Sequence, residues 1–238
     1  MHWLRLLLVL PVFAGAGCES MQQRLPVPSS LQTVPPIEIE SPGLLEFGRP
    51  TQMGPWTLGN ISKGGWTTRC SQHWVSIDVI SAQTYAFTVA SREHTQRTTC
   101  QIKREARYLR FNDEPEHGHY SRLECTFHGS DGGKLLIDED LPVGKKTGKA
   151  TIGSREWDFN SVHRGSNGYD ADPPLGYEIW SGVSAVAAID LAQAGLTNDG
   201  RIWMDPALPA EDQQYVMSIV GALLLFDAPA GYDWETCR

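Results

Sequence analysis

The longest apolar stretch after the N-terminus lies near the end of the chain, at residues 209–227. Apolar residues recur there at the spacing of one helical face and also cover much of the opposite face. Glu211 and Asp212 suit the first turn of a helix, and Pro229 cannot continue one. The uncharged part is shorter than the about 20 residues that a membrane span needs. The pattern therefore predicts a C-terminal helix over residues 209–227 that is buried inside the protein.

Most of the chain before this helix alternates between apolar and polar positions. In residues 75–79 and 123–127, for example, every second residue is apolar, which is typical of a strand with one face buried. Turn sequences separate such stretches, and Asp199-Gly200 is a strong candidate for a hairpin turn between two of them. The pattern predicts about ten strands in one domain that spans residues 44–238.

Many strands followed by one apolar helix pose a packing problem. The helix must be covered on all sides, and the open edges of the sheet must be hidden from water. Closing the sheet around the helix satisfies both requirements. We therefore predict a mainly β fold, an antiparallel closed or nearly closed barrel of about 10–12 strands around a C-terminal hydrophobic helix.

The end of the chain resembles a known family. The sequence Gly200-Arg-Ile-Trp-Met-Asp205, then Leu208-Pro-Ala-Glu211, then residues 215–227, is similar to the end of tubby-like and LURP-one-related proteins. The resemblance implies a closed barrel of about twelve strands around a central helix. It also suggests that a lipid or other apolar ligand could be held between barrel and helix. The basic residues through which eukaryotic members bind phosphoinositides have no equivalent cluster here, so no site residue carries over.

The N-terminus has the layout of a lipoprotein signal peptide. A positive charge, a short apolar core and small residues precede Cys18, so residues 1–17 are predicted to be removed. The cysteine after small residues resembles the lipobox of bacterial lipoproteins, although Gly15 stands where leucine is preferred. The resemblance implies a diacylglyceryl thioether and an N-acyl chain, such as palmitate, on Cys18. In enterobacterial-type sorting, an aspartate directly after the cysteine would retain the protein at the inner membrane. Glu19 therefore favours an outer-membrane protein that is lipid-anchored and faces the periplasm.

The segment after the anchor is rich in proline. We interpret residues 18–43 as the lipidated cysteine and an extended spacer that holds the domain away from the bilayer.

Charge and cysteine content restrict the setting further. The net charge is −8, and removal of residues 1–17 with Arg5 makes it −8 − 1 = −9, so nucleic acid is a poor partner. Besides Cys18, four cysteines predict disulfides in an oxidising compartment. Of three possible pairings, Cys100–Cys125 in neighbouring strands and Cys70–Cys237 at the C-terminal tail are favoured. Zinc is the alternative, but no CxxC spacing supports it.

Catalytic and metal-binding motifs are weak in this sequence. His117 and His119 are two residues apart, so in a strand they would point the same way and could share a divalent ion. Ser130 follows His128 in a glycine-rich turn that is one residue shorter than a nucleophile elbow. A hydrolase or metal protein that uses His117, His119 or Ser130 is the least favoured function, and no cofactor is predicted.

Two tryptophans are the best candidates for a partner surface. Trp180 and Trp203 are out of phase with the apolar positions of their strands, which predicts that they face outward. The favoured function is therefore a non-enzymatic binding or structural role in the envelope, with contact to a protein partner. A carrier or sensor of an apolar ligand held in the barrel is the alternative.

Overall fold

The structure is a computed structural model. It describes residues 24–40, 50–109, 115–129, 132–140, 144–165, 168, 170–171, 174–190, 199–226 and 237, with only the backbone at 115–119, 140 and 199.

The described chain consists of thirteen strands and one helix. In chain order they are β1 (Ile37–Glu40), β2 (Thr51–Met53), β3 (Trp56–Lys63), β4 (Thr67–Gln72), β5 (Ser76–Ala90), β6 (Thr95–Leu109), β7 (Pro115–His128), β8 (Gly133–Asp140), β9 (Lys145–Ile152), β10 (Arg155–Val162), β11 (Gly176–Ser181), β12 (Ser184–Asp190), β13 (Asp199–Met204) and α1 (Ala210–Phe226). The helix lies within the predicted range 209–227.

The strands form one antiparallel sheet that closes on itself. Its order is β3-β2-β1-β13-β12-β11-β10-β9-β8-β7-β6-β5-β4, and a further pairing of β3 with β5 joins the two ends. The ring therefore contains twelve strands, which confirms the predicted closed barrel. The remaining strand, β4, pairs with the first half of β5, from Ile77 to Ala82, while β3 pairs with the second half.

The helix α1 fills the barrel. Most of its apolar side chains are buried and belong to one core with the inward-facing residues of the strands, and Leu224 and Leu225 near its end are partly buried against that core. Tyr85 of β5 donates a hydrogen bond to the carbonyl oxygen of Ala222 (3.0 Å), and Gln214 donates to the carbonyl oxygen of Val89 (2.7 Å). These bonds fix how far the helix is inserted into the ring, because each joins a helix residue to a defined point on β5.

Charged residues of the barrel meet both ends of the helix. Asp212 in the first turn is buried and forms an ion pair with Arg155 at the start of β10. At the other end, Lys146 Nζ of β9 lies 5.1 Å from the ring centroid of Phe226 and 3.7 Å from Glu139 Oε1. A carboxylate at the N-terminus and an ammonium group at the C-terminus both complement the helix dipole.

Two disulfides join the predicted pairs of cysteines. Cys100 and Cys125 lie directly opposite each other on β6 and β7, and both side chains are buried in the barrel. Cys70 of β4 is bonded to Cys237, which packs with Val79 in a small apolar cluster. The second bond ties the end of the chain to the strand outside the ring.

Two local predictions are wrong. Residues 24–40 are not an extended spacer, because residues 37–40 form β1, paired with β13 and β2, and residues 24–36 pack on the barrel. Asp199 and Gly200 are not a turn, because they lie in β13 opposite Glu40 and Ile39. The predicted pairing of the flanking strands, β12 with β13, is confirmed.

Candidate functional site

An N-terminal strap, residues 24–36, covers part of the outer face of the barrel. Its Leu25 and Leu31 are only 4% and 1% exposed, and they form an apolar cluster with Ala185 and Ala188 of β12. Two turns shape the strap, with the amide of Leu31 bonded to the carbonyl oxygen of Pro28 at 2.9 Å and that of Val34 to the carbonyl oxygen of Leu31 at 3.0 Å. The apolar outer face of β12 is therefore covered by the chain itself.

Both predicted partner-surface residues border this strap. Trp180 of β11 and Trp203 of β13 face outward, but each is half-buried and packs against the strap cluster. Trp203 lies opposite Ala188 in the sheet, whereas Trp180 lies opposite Asp158 on the other side of its strand. Trp180 therefore has a second environment that Trp203 lacks.

That second environment is an open groove of ≈ 610 Å³ on the outer face of β8, β9, β10 and β11. The groove brings together an indole, an aliphatic side chain, two carboxylates, an ammonium group, a hydroxyl group and an amide. They belong to Trp180, Leu136, Asp138, Asp158, Lys149, Thr147 and Asn160.

Sheet register arranges these side chains in two rows that cross the strands. The first row is Leu136, Lys149, Asp158 and Trp180, each directly opposite the next. The second row is Asp138, Thr147, Asn160 and Glu178, paired in the same way. With neighbouring strands about 4.8 Å apart, each row is about 14 Å long.

Asp138 at one end of the groove belongs to a polar network with β7. Arg122 Nε donates to Asp138 Oδ1 (2.7 Å), and the Tyr120 hydroxyl group donates to the same oxygen. Burial acts to raise the pKa of Asp138, but the hydrogen bonds from Arg122 and Tyr120 outweigh it and hold the pKa below its usual value. Burial and the bond to Asp138 raise the pKa of Tyr120 to about 12. Asp138 is therefore an ionised, paired carboxylate at neutral pH.

Glu178 fixes the indole at the other end. The Trp180 Nε1–H group donates to Glu178 Oε2 at 3.0 Å. Burial raises the pKa of Glu178, and the bond from Trp180 offsets only part of the rise. The ring of Trp180 is thus held by a hydrogen bond on one edge and by the strap cluster beside it.

The predicted histidine and serine sites are not described. The backbone of His117 and His119 lies in β7, but their side chains, and the whole of Ser130, are outside the described residues. Among the described side chains, no group of three or more His, Cys, Asp or Glu residues is arranged to hold a metal ion.

A serine–histidine contact that the sequence did not suggest lies at one end of the barrel. Ser161 Oγ is 2.9 Å from His163 Nε2, and His163 Nδ1 is 3.0 Å from the carbonyl oxygen of Ala171. Ser161 Oγ also accepts from the backbone N–H of Lys146 (2.8 Å), just beyond the last β9–β10 pair. Because Ser161 is buried and bonded on two sides, the contact satisfies backbone groups at the end of the ladder.

The interior of the barrel is occupied by α1. Met217, Val220 and Ala222 are fully buried against the inward side chains of the strands, so the helix lies where an apolar ligand would have to be held. In the described part of the chain no helix has the length and apolar character to cross a membrane.

Apart from Trp180, the groove residues escaped sequence analysis because they come from three different strands. Each is a single residue at an outward position, and only the register between strands places them together. Comparison with protein-family models, curated proteins and solved structures gives no match for this chain.

Proposed function

We propose that this protein is an outer-membrane lipoprotein, anchored through Cys18 and facing the periplasm, that binds a partner or ligand in the outer groove without catalysis. The observation that carries the binding role is the groove itself, where seven different polar and apolar side chains meet on the surface of a barrel whose interior is filled. The twelve-stranded ring around a terminal helix also supports kinship with tubby-like and LURP-one-related proteins.

Export is supported by two independent features. The lipobox-like sequence ends at Cys18, and the two disulfides fit an oxidising compartment.

The anchor then holds the barrel close to the membrane. Leu25 is docked on the barrel, and the 25 − 18 = 7 residues from Cys18 to Leu25 span at most about 25 Å. The strap face, rather than the opposite side, is therefore turned to the bilayer.

Mass spectrometry of the protein purified from its own membrane tests the anchor. We expect a chain that starts at Cys18 and carries acyl chains, and an unlipidated Cys18→Ala variant that leaves the membrane fraction. An unmodified chain that starts elsewhere contradicts the anchor.

Energy transfer to a lipid headgroup acceptor tests the orientation. A fluorescent amino acid at Ser30 in the strap should transfer more efficiently than one at Gln101. Both positions are exposed, and β6, which carries Gln101, is six strands from β12 in either direction around the ring. Equal transfer from the two positions contradicts the proposed orientation.

A further inference from the structure

We infer that the outer groove is a binding site for an uncharged oligosaccharide, with the indole of Trp180 as its stacking surface; this rests on the proposed binding role and specifies its ligand.

Both carboxylates that line the groove are already paired with a cation. Lys149 lies 3.8 Å from Asp158 and Arg122 lies 2.7 Å from Asp138, so each carboxylate already has a cation beside it. A cationic ligand would have to displace Lys149 or Arg122 from its carboxylate, and an anionic ligand would meet the carboxylates beside these cations. A neutral ligand meets no such cost.

The polar groups suit hydroxyl groups as partners. Thr147 and Asn160 lie opposite each other in the second row and supply one hydroxyl group and one amide, which both donate and accept. The carboxylates of Asp138 and Asp158 accept hydrogen bonds. Sugar hydroxyl groups both donate and accept, so a saccharide can satisfy this mixed set, whereas an apolar ligand cannot.

The indole suits the apolar face of a sugar ring. Trp180 is held in place by its bond to Glu178 and by the strap, so little side-chain freedom is lost on binding. Because the indole N–H already donates to Glu178, the ring offers a ligand its flat apolar face. The row from Leu136 to Trp180 is about 14 Å long, which accommodates two to three sugar units in line.

The test is a titration of the full lipidated protein in detergent. Binding is monitored by the indole N–H resonance of Trp180 and by the backbone amide resonance of Lys149, which every variant retains. The probes are chitotetraose and cellotetraose, with tetralysine and a heparin tetrasaccharide as ionic comparisons. We expect a saturable shift with at least one neutral tetrasaccharide, at an affinity of about millimolar, and a weaker response to both ionic probes.

Two tryptophan variants separate the groove from the strap. Trp180→Ala removes the stacking surface and should weaken binding about tenfold, whereas Trp203→Ala loosens the same strap cluster without touching the groove and should bind within about twofold of the parent. The exposed Asp158→Ala variant should also bind more weakly while its thermal unfolding is unchanged.

Three outcomes overturn the inference: no shift with either neutral tetrasaccharide, tighter binding of an ionic probe, or equal losses in the two tryptophan variants. The proposed function fails separately. An unlipidated Cys18 contradicts the anchor whatever the groove binds, and a lipidated protein with an ionic ligand in the groove keeps the binding role and loses only the saccharide.

Discussion

Gly221 of the central helix lies against the ring of Phe87 so closely that a Cβ atom at position 221 would be 2.8 Å from Phe87 Cε2. The same atom would lie 3.1 Å from Leu58 Cδ1. Phe87 is 1% exposed and sits in the core, so its ring has no free space to move into. A glycine in mid-helix is thus the condition for close contact between α1 and β5.

Gly221→Ala should destabilise the protein, although alanine is the better helix former by about 0.5–1 kcal/mol. Overpacking of a filled core costs about 1–3 kcal/mol, so the free energy of unfolding should fall by about 1–2 kcal/mol. Denaturant unfolding measures the change. Gly65→Ala is the control, because a Cβ atom there meets nothing within 4 Å. A Gly221→Ala protein as stable as the parent would show that the ring of Phe87 moves aside freely.

The helix and the barrel were predictable because each leaves a periodic signal. Tyr85, Phe87 and Val89 alternate with small or polar residues and all point to the core, as the period of a strand requires. The disulfide Cys100–Cys125 was favoured for the same reason, since two neighbouring strands in register place the cysteines face to face.

The strap and the groove leave no such signal. Leu25 and Leu31 are isolated apolar residues in a proline-rich segment. The sequence around them does not indicate that they pack on the outer face of β12. The groove depends on register: Asp138, Thr147 and Asn160 are neighbours only because three strands align at these residues. A slip of one residue would turn each side chain inward.

The ion pair between Arg155 and Asp212 should matter more than ion pairs on the surface. Asp212 is buried, and removing Arg155 leaves its carboxylate without that cation, which costs about 2–4 kcal/mol. Arg155→Ala should therefore lower the free energy of unfolding by this amount, and adding Asp212→Asn should recover part of it. The comparison is Arg201→Ala, whose partner Glu38 is exposed, with an expected loss below about 1 kcal/mol. Equal losses in the two arginine variants would mean that Asp212 is solvated.

Glu178 should make the protein less stable as the pH rises. Its pKa is raised in the folded state by burial, so the folded protein keeps the proton to higher pH than the unfolded chain does. Stability therefore falls from about pH 4, the ordinary range of a glutamate, through the raised pKa, and stays lower above it. Glu178→Gln should match the parent at low pH and melt at a higher temperature at neutral pH.

Asp78 is a control, because its effect on stability should depend on pH in the opposite direction. The hydrogen bond from Arg107 holds the pKa of Asp78 below its usual value, so its contribution is present at neutral pH and is lost as the pH falls through the lowered pKa. Asp78→Asn should consequently lower the melting temperature at neutral pH and lose that effect in acid. If Glu178→Gln lowered the melting temperature at neutral pH, as Asp78→Asn should, burial would not be the main cause of the shifted pKa of Glu178.

The strap should detach without unfolding the barrel. Leu31→Asp places a charge in the apolar cluster between strap and β12, whereas Thr33→Asp adds the same charge at an exposed position. Because the strap packs on the outer face and α1 fills the inner one, loss of strap contacts leaves the core of the ring intact. We expect faster amide exchange in residues 24–34 and stronger acrylamide quenching of tryptophan fluorescence in Leu31→Asp only, as Trp180 and Trp203 become accessible. Amide exchange in α1 should stay slow in both variants. Fast exchange throughout α1 in Leu31→Asp would instead show that the strap is part of the cooperative core.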